Sequence, residues 1–193
     1  MALIELKEVG DLHGPARDIA NAGAEQYGQI LQTWRALMVK PELFAAYLPF
    51  LREVVAPGEL DIKIKDLSAL LVAKLNHCTY TVSHRVASAL RNGIAARTIQ
   101  QTVLEEWEEF DPRLKIALEL TKEMTLETSQ RSRQALPYGV RHETRRRARD
   151  AFSDVELLEL TFSISIWNAL SRFHRVMDFE VDMPEGLGLV HVD

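Results

Sequence analysis

Cysteine is almost missing from this chain: among 193 residues, Cys78 is the only one. A lone cysteine excludes an internal disulfide and a metal cluster built on paired thiolates. Seven Pro and nine Gly are few for a many-turned β architecture. No apolar run approaches the ~20 residues that a membrane-spanning helix needs. Residues 1–8 lack the basic-then-apolar order of a secretory signal, so the expectation is a cytoplasmic protein without a membrane partner. A net charge of −5 argues against a general nucleic-acid binder. There is no Gly-rich phosphate loop, no His-Glu-x-x-His and no Gly-x-Ser-x-Gly elbow. Of six scattered histidines only His77 and His84 are close in sequence, and they would need a third ligand to hold a metal, so none is expected.

What is present is abundant Ala, Leu, Glu and Arg, the composition of helices, at a length suited to one domain with a sizeable core. The spacing divides the chain into an N-terminal arm and helix (1–40), a helical domain (41–182) and an irregular tail (183–193). Residues 16–38 carry a single apolar stripe through Ala20, Ala24, Tyr27, Leu31, Trp34 and Met38, which predicts one helix. Lys40-Pro41 stops it and starts the next, which Pro49 kinks or divides before the Pro57-Gly58 turn. A helix is then predicted from about Lys65, almost wholly apolar over 67–75, and another that closes at Asn92-Gly93. Further helices are predicted over 94–110, from Asp111-Pro112 onward, and from the Ser153-Asp154-Val155-Glu156 capping box through Phe162, Ile164, Ile166, Trp167, Leu170 and Phe173. The intervening residues 126–150 are arginine-rich, diluted by Glu127, Glu143 and Asp150. They read as a solvated helix face or a subunit contact to the acidic run at 105–109.

The chain is organised around residues 66–85. Two helical segments meet at 76–78, with Asp66 one helix-length upstream of Cys78 and with Tyr80, Thr81, His84 and Arg85 within two turns downstream. Two readings of Cys78 stand. As a small buried apolar residue it is inert. At the start of the second helix, facing unpaired N–H groups, its thiol would ionise below the usual ~8.5 and become reactive.

With these residues in view, roughly 41–182 resembles the carboxymuconolactone decarboxylase and alkylhydroperoxidase-D-like superfamily. The resemblance rests on Asp66, on Cys78-Thr79-Tyr80-Thr81, on His84-Arg85 and on Gly93. Asp111 to Thr125 and Phe152 to His174 are similar to the family's later helices, in the same order. It implies an all-α, single-domain multi-helix bundle of the alkylhydroperoxidase-D-like type, with sites near subunit contacts and hence a homo-oligomer. The departures bear on chemistry. The peroxidase branch has a second cysteine where this chain has Thr81, and a hydroxyl cannot resolve a disulfide. The family's acid is the longer Glu, and its His falls where Arg85 stands, so His84 is turned by roughly 100° on the helix.

The set Asp66, Cys78, Thr81, His84, Arg85 and Tyr80 implies acid–base work on a small organic acid or lactone. Arg85 and Tyr80 bind the substrate, and Asp66 or His84 moves the proton, with no cofactor. Two alternatives remain: a one-cysteine thiol peroxidase using Cys78 with an external thiol, and a non-catalytic relative that binds a small ligand.

Overall fold

The apolar run at 67–75 becomes the axis of the molecule. In the computed structural model, which describes residues 2–126 and 138–190, it lies within helix α4 (Ile62–Leu75). All residues from Ile64 to Ala73 in this helix are buried. A helix apolar on every side has to be surrounded. Around it pack α5 (Thr79–Arg91), α6 (Ala96–Leu104), α7 (Pro112–Leu126) and α9 (Asp154–Met177). Leu67, Leu70, Leu71 and Val72 are fully enclosed there, at about 1.5–3 kcal/mol each. A second layer, α1 (Pro15–Tyr27), α2 (Gln32–Leu37) and α3 (Pro41–Val55), covers one side of α5 and α9 through its own apolar cluster of Leu12, Trp34, Met38, Phe44 and Leu48. Helix α8 (His142–Ala151) flanks α7. The fold is all-α, with no strand among the described residues. No helix there is long and apolar enough to cross a membrane.

Most helix boundaries follow from local chemistry. Asp61 caps α4 by accepting from the Lys63 amide at 2.8 Å. The helix therefore begins three residues before the expected Lys65. Asp111 accepts from the Arg113 amide at 2.8 Å ahead of Pro112, and Gly93 follows α5 at φ 76. The Ser153–Glu156 capping box closes in both directions at 3.1 and 2.9 Å. Helix α3 runs through Pro49 without dividing.

Other expectations need correction. The 16–38 stripe is two helices, because Gly28 sits at φ 72 and ends α1. The 94–110 stretch is helical only to Leu104, where Glu105 turns left-handed at φ 60. Phe162, on the long apolar helix, lies 44 % exposed, edge-on to the equally exposed Phe50 at 6.0 Å. The described part of the arginine-rich segment is a helix with a largely exposed face, as the solvated-face reading has it, and several of its arginines pair within the chain. Arg141 meets Glu123 (2.6 Å), Arg147 meets Glu119 (2.5 Å) and Arg145 lies over Tyr138, while the acidic run pairs Glu105 with Lys122 and Glu109 with Arg97. Glu127, Arg131 and Arg133 lie outside the described residues.

The described part of the tail forms a short 3-10 turn, Pro184–Leu189, packed on α5 and α6. The expectation of an irregular tail over 183–193 is corrected to that extent.

Candidate functional site

The joint between α4 and α5 sets the positions of the side chains singled out above. Asn76 ends α4, with its amide donating to Val72 O (2.9 Å) and to Asn168 Oδ1 on α9 (2.9 Å). His77 then takes φ 51, and Cys78 becomes the N-cap of α5. Arg175 of α9 donates to the Asn76 carbonyl at 2.8 Å and locks the turn from outside. Four residues on the first turns of α5 are thereby fixed against α2 and α9.

Between the N-terminal layer and α5 and α9 lies a cavity of about 60 Å³. One water-sized probe needs roughly 10–15 Å³, so the space takes several waters or one small organic group. Its polar wall is Thr81, His84, Arg85 and His174; apolar wall is supplied by Trp34, Leu48, Leu51, Trp167 and Met183. Arg52 and Arg91 also border it and are exposed, while Arg85 is deep. The Arg85 guanidinium lies 4.0 Å over the Trp167 ring, and its buried Nε has no hydrogen-bond partner. Tyr47, on the same wall, is a neutral phenol whose pKa burial drives upward, against the lowering charge of Arg85.

Asp66 stands behind this wall. It accepts from Ser88 Oγ (3.1 Å) and Asn92 Nδ2 (2.6 Å), and one oxygen lies 3.8 Å from Arg85 Nη1. It therefore holds Arg85 in place and does not itself border the cavity. Cys78 also lies off the wall. It is 2 % exposed, and its Sγ is 3.1 Å from Thr81 Oγ1. Tyr80 points the other way, toward the segment after α9.

Two side chains outside the expected set complete the polar core. Asp182, two residues before the 3-10 turn, lies 2.5 Å from His84 Nε2, accepts from Tyr80 OH (2.9 Å) and accepts from the Gln32 amide (2.8 Å). Burial pushes its pKa up, but the bond and charge of His84 and the Gln32 and Tyr80 donors outweigh this and hold it below the ordinary 3.8. His84 moves below 6.5, because burial exceeds the raising effect of Asp182. His174 on α9 bridges Thr81 Oγ1 (2.8 Å from Nδ1) and Thr33 Oγ1 (3.0 Å from Nε2), and Thr33 Oγ1 is in turn 3.2 Å from Tyr80 OH. Burial, then the neighbouring charge of His84, lowers the His174 pKa to about 3.

His174 carried one signal in the sequence, a histidine in helical register with the buried Trp167 and Leu170. Asp182 carried none. Among the described residues no three His, Cys, Asp or Glu side chains stand close enough to share a metal ion.

Residues 41–123 match the sequence profile of the carboxymuconolactone decarboxylase family. No curated protein sequence matches the chain. Among solved structures it is similar to an uncharacterized peroxidase-related protein from Silicibacter sp. TM1040, with a TM-score of 0.80 at 14% identity, covering 98% of this chain and 96% of that one. A peroxidase-related protein with an alkylhydroperoxidase AhpD core from Ralstonia eutropha JMP134 gives 0.79 at 13% identity, covering 94% and 92%. The debrominase Bmp8 gives 0.76 at 15% identity, covering 93% and 92%. Identities this low speak to the fold alone.

Proposed function

Because residues 41–123 match the carboxymuconolactone decarboxylase family and the fold is similar to that of a protein with an alkylhydroperoxidase AhpD core, we propose that the chain is an acid–base enzyme. Its substrate would be a small organic acid or lactone, and the reaction a decarboxylation or isomerisation run by side chains alone. One observation carries the reading: His84 and Arg85 border the same cavity, whereas Cys78 does not.

The residues divide the work as follows. Arg52 and Arg91 draw an anion toward the opening, and the Arg85 guanidinium, unpaired at Nε and stiffened by Trp167 and Asp66, receives the carboxylate. An ionised Asp182 only accepts hydrogen bonds, so His84 carries its proton on Nε2 and its Nδ1 keeps the lone pair. A neutral imidazole near pH 7 is a competent general base at Nδ1, and Asp182 stabilises the imidazolium that forms. Proton transfer of this kind contributes typically about 10²–10⁴-fold. The Thr81 hydroxyl borders the same space and offers an oxygen to a bound polar group. The apolar indoles and leucines exclude water and strengthen each of these interactions.

A panel of small carboxylic acids and lactones tests the proposal. With the substrate that turns over, His84→Gln should lower kcat by about 10²-fold or more. Arg85→Lys should act mainly on KM, and Cys78→Ser should retain turnover. Peroxide consumption with an external thiol, lost in Cys78→Ser and accompanied by a trapped sulfenic acid in the parent, would replace this reading with the thiol peroxidase. Assembly into a homo-oligomer belongs to the same proposal, and the exposed Phe50, Leu158 and Phe162 support it. Sedimentation of the full chain measures it.

A further inference from the structure

The polar groups behind the cavity have an order that their chemistry makes one-way. An ionised Asp182 has no proton to give, so the single phenolic proton of Tyr80 goes to its Oδ2 at 2.9 Å. The Tyr80 oxygen is then an acceptor, and Thr33 supplies both its hydroxyl (3.2 Å) and its amide (3.3 Å). With its proton committed, the Thr33 oxygen accepts from His174 Nε2–H at 3.0 Å. A neutral imidazole has one N–H, which leaves Nδ1 to accept from the Thr81 hydroxyl at 2.8 Å. The Thr81 oxygen finally accepts the Cys78 S–H at 3.1 Å. The reverse order sets the Thr33 and Tyr80 oxygens lone pair against lone pair. It also leaves the Thr81 proton with only a sulfur, a weak acceptor.

We propose that Cys78, Thr81, His174, Thr33 and Tyr80 form one hydrogen-bond chain of fixed direction ending on Asp182, and that Thr33 and His174 are positioning residues coupling the thiol to His84. The two ends share Asp182, which takes the Tyr80 proton on one oxygen and the His84 Nε2–H on the other. Each bond in such a chain polarises the next, so the donors behind Tyr80 bear on how strongly Asp182 holds His84. Cys78 is on this account the terminal donor of the chain. The tautomers assigned here exist with or without substrate, so the inference does not rest on the reaction proposed above.

The test reads protons directly in the full-length protein. Long-range 1H–15N spectra of ring-labelled histidine should show His174 and His84 both protonated at Nε2. Because the chain has one cysteine, its infrared S–H band is unambiguous, and it should lie lower in the parent than in Thr81→Val. In Asp182→Asn the side chain can donate to Tyr80, so part of the His174 signal should move to the Nδ1–H form and the S–H band should rise. If that variant does not fold, Thr33→Val gives the same readout by removing the acceptor of Nε2–H. An Nδ1–H tautomer at His174 in the parent overturns the proposal. So does an unchanged tautomer and S–H band in whichever of the two variants folds.

Discussion

Replacing His174 by Gln should flatten the acid side of the stability curve. The native pKa of His174 is about 3, against ~6.5 for an unfolded histidine. Below pH 6.5 the unfolded chain binds a proton that the folded chain refuses, so stability falls with pH until the folded value is reached. The slope approaches about 1.4 kcal/mol per pH unit, which integrates to about 2 kcal/mol between pH 7 and pH 5. Glutamine keeps both hydrogen bonds in their proposed sense, its oxygen accepting from Thr81 and its NH2 donating to Thr33, but it does not titrate. His84 contributes with the same sign in parent and variant. The contribution of Asp182 is complete above its ordinary 3.8 and is lost only as pH falls through its lower folded value, outside this window. Urea unfolding of both proteins at pH 7 and pH 5 gives the difference, provided m is unchanged. The parent should lose about 2 kcal/mol more than His174→Gln over that interval. Losses agreeing to within about 0.5 kcal/mol would refute the claim that His174 is buried neutral.

Two further substitutions probe the packing around the site. In Gly23→Ala a Cβ would stand 2.6 Å from carbons of the Trp34 ring. The overpacking of about 1–3 kcal/mol then exceeds the ~1 kcal/mol gained in helix propensity, and a melting temperature above the parent's would contradict this. Glu159→Ala removes the partner of the buried Lys65 ammonium (3.2 Å) and the acceptor of the Glu59 and Leu60 amides. Breaking such a pair costs about 3–5 kcal/mol, or roughly 6–20 °C in Tm for a chain of this size. Adding Lys65→Met should recover much of that loss in a thermal melt, because the uncompensated charge is then gone.

Those parts of the fold set by neighbours in sequence were legible. The joint at 76–78, the Asn92-Gly93 stop and the Ser153–Glu156 box each need only a few adjacent residues, and each stands where it was expected. Gly28 was misjudged because the apolar stripe resumes in register beyond it. Helix α1 and helix α2 bury the same side of the chain, and the four residues 28–31, opening with left-handed Gly28 and closing with extended Leu31, separate them. At the site, Thr81, His84 and Arg85 could be picked out because one helix presents them together. Asp66 was in the right region, but its role depends on Ser88 and Asn92, which only the packing of α4 on α5 brings within reach. His174 and Asp182 meet Thr81 and His84 across sequence separations of 93 and 98, where no local pattern operates.

Such separations also govern when the site exists. Gln32 and Asp182 are 150 positions apart, and their bond joins the N-terminal layer to the segment that orients His84. At synthesis rates of about 5–20 residues per second, roughly 8–30 s pass between the emergence of one partner and the other. The α4–α5 hairpin, whose contacts are local, can form well inside that interval. A nascent chain thus holds His84 and Arg85 on helix α5 well before Asp182 arrives to set a tautomer. Competence comes late, only once Asp182 has emerged.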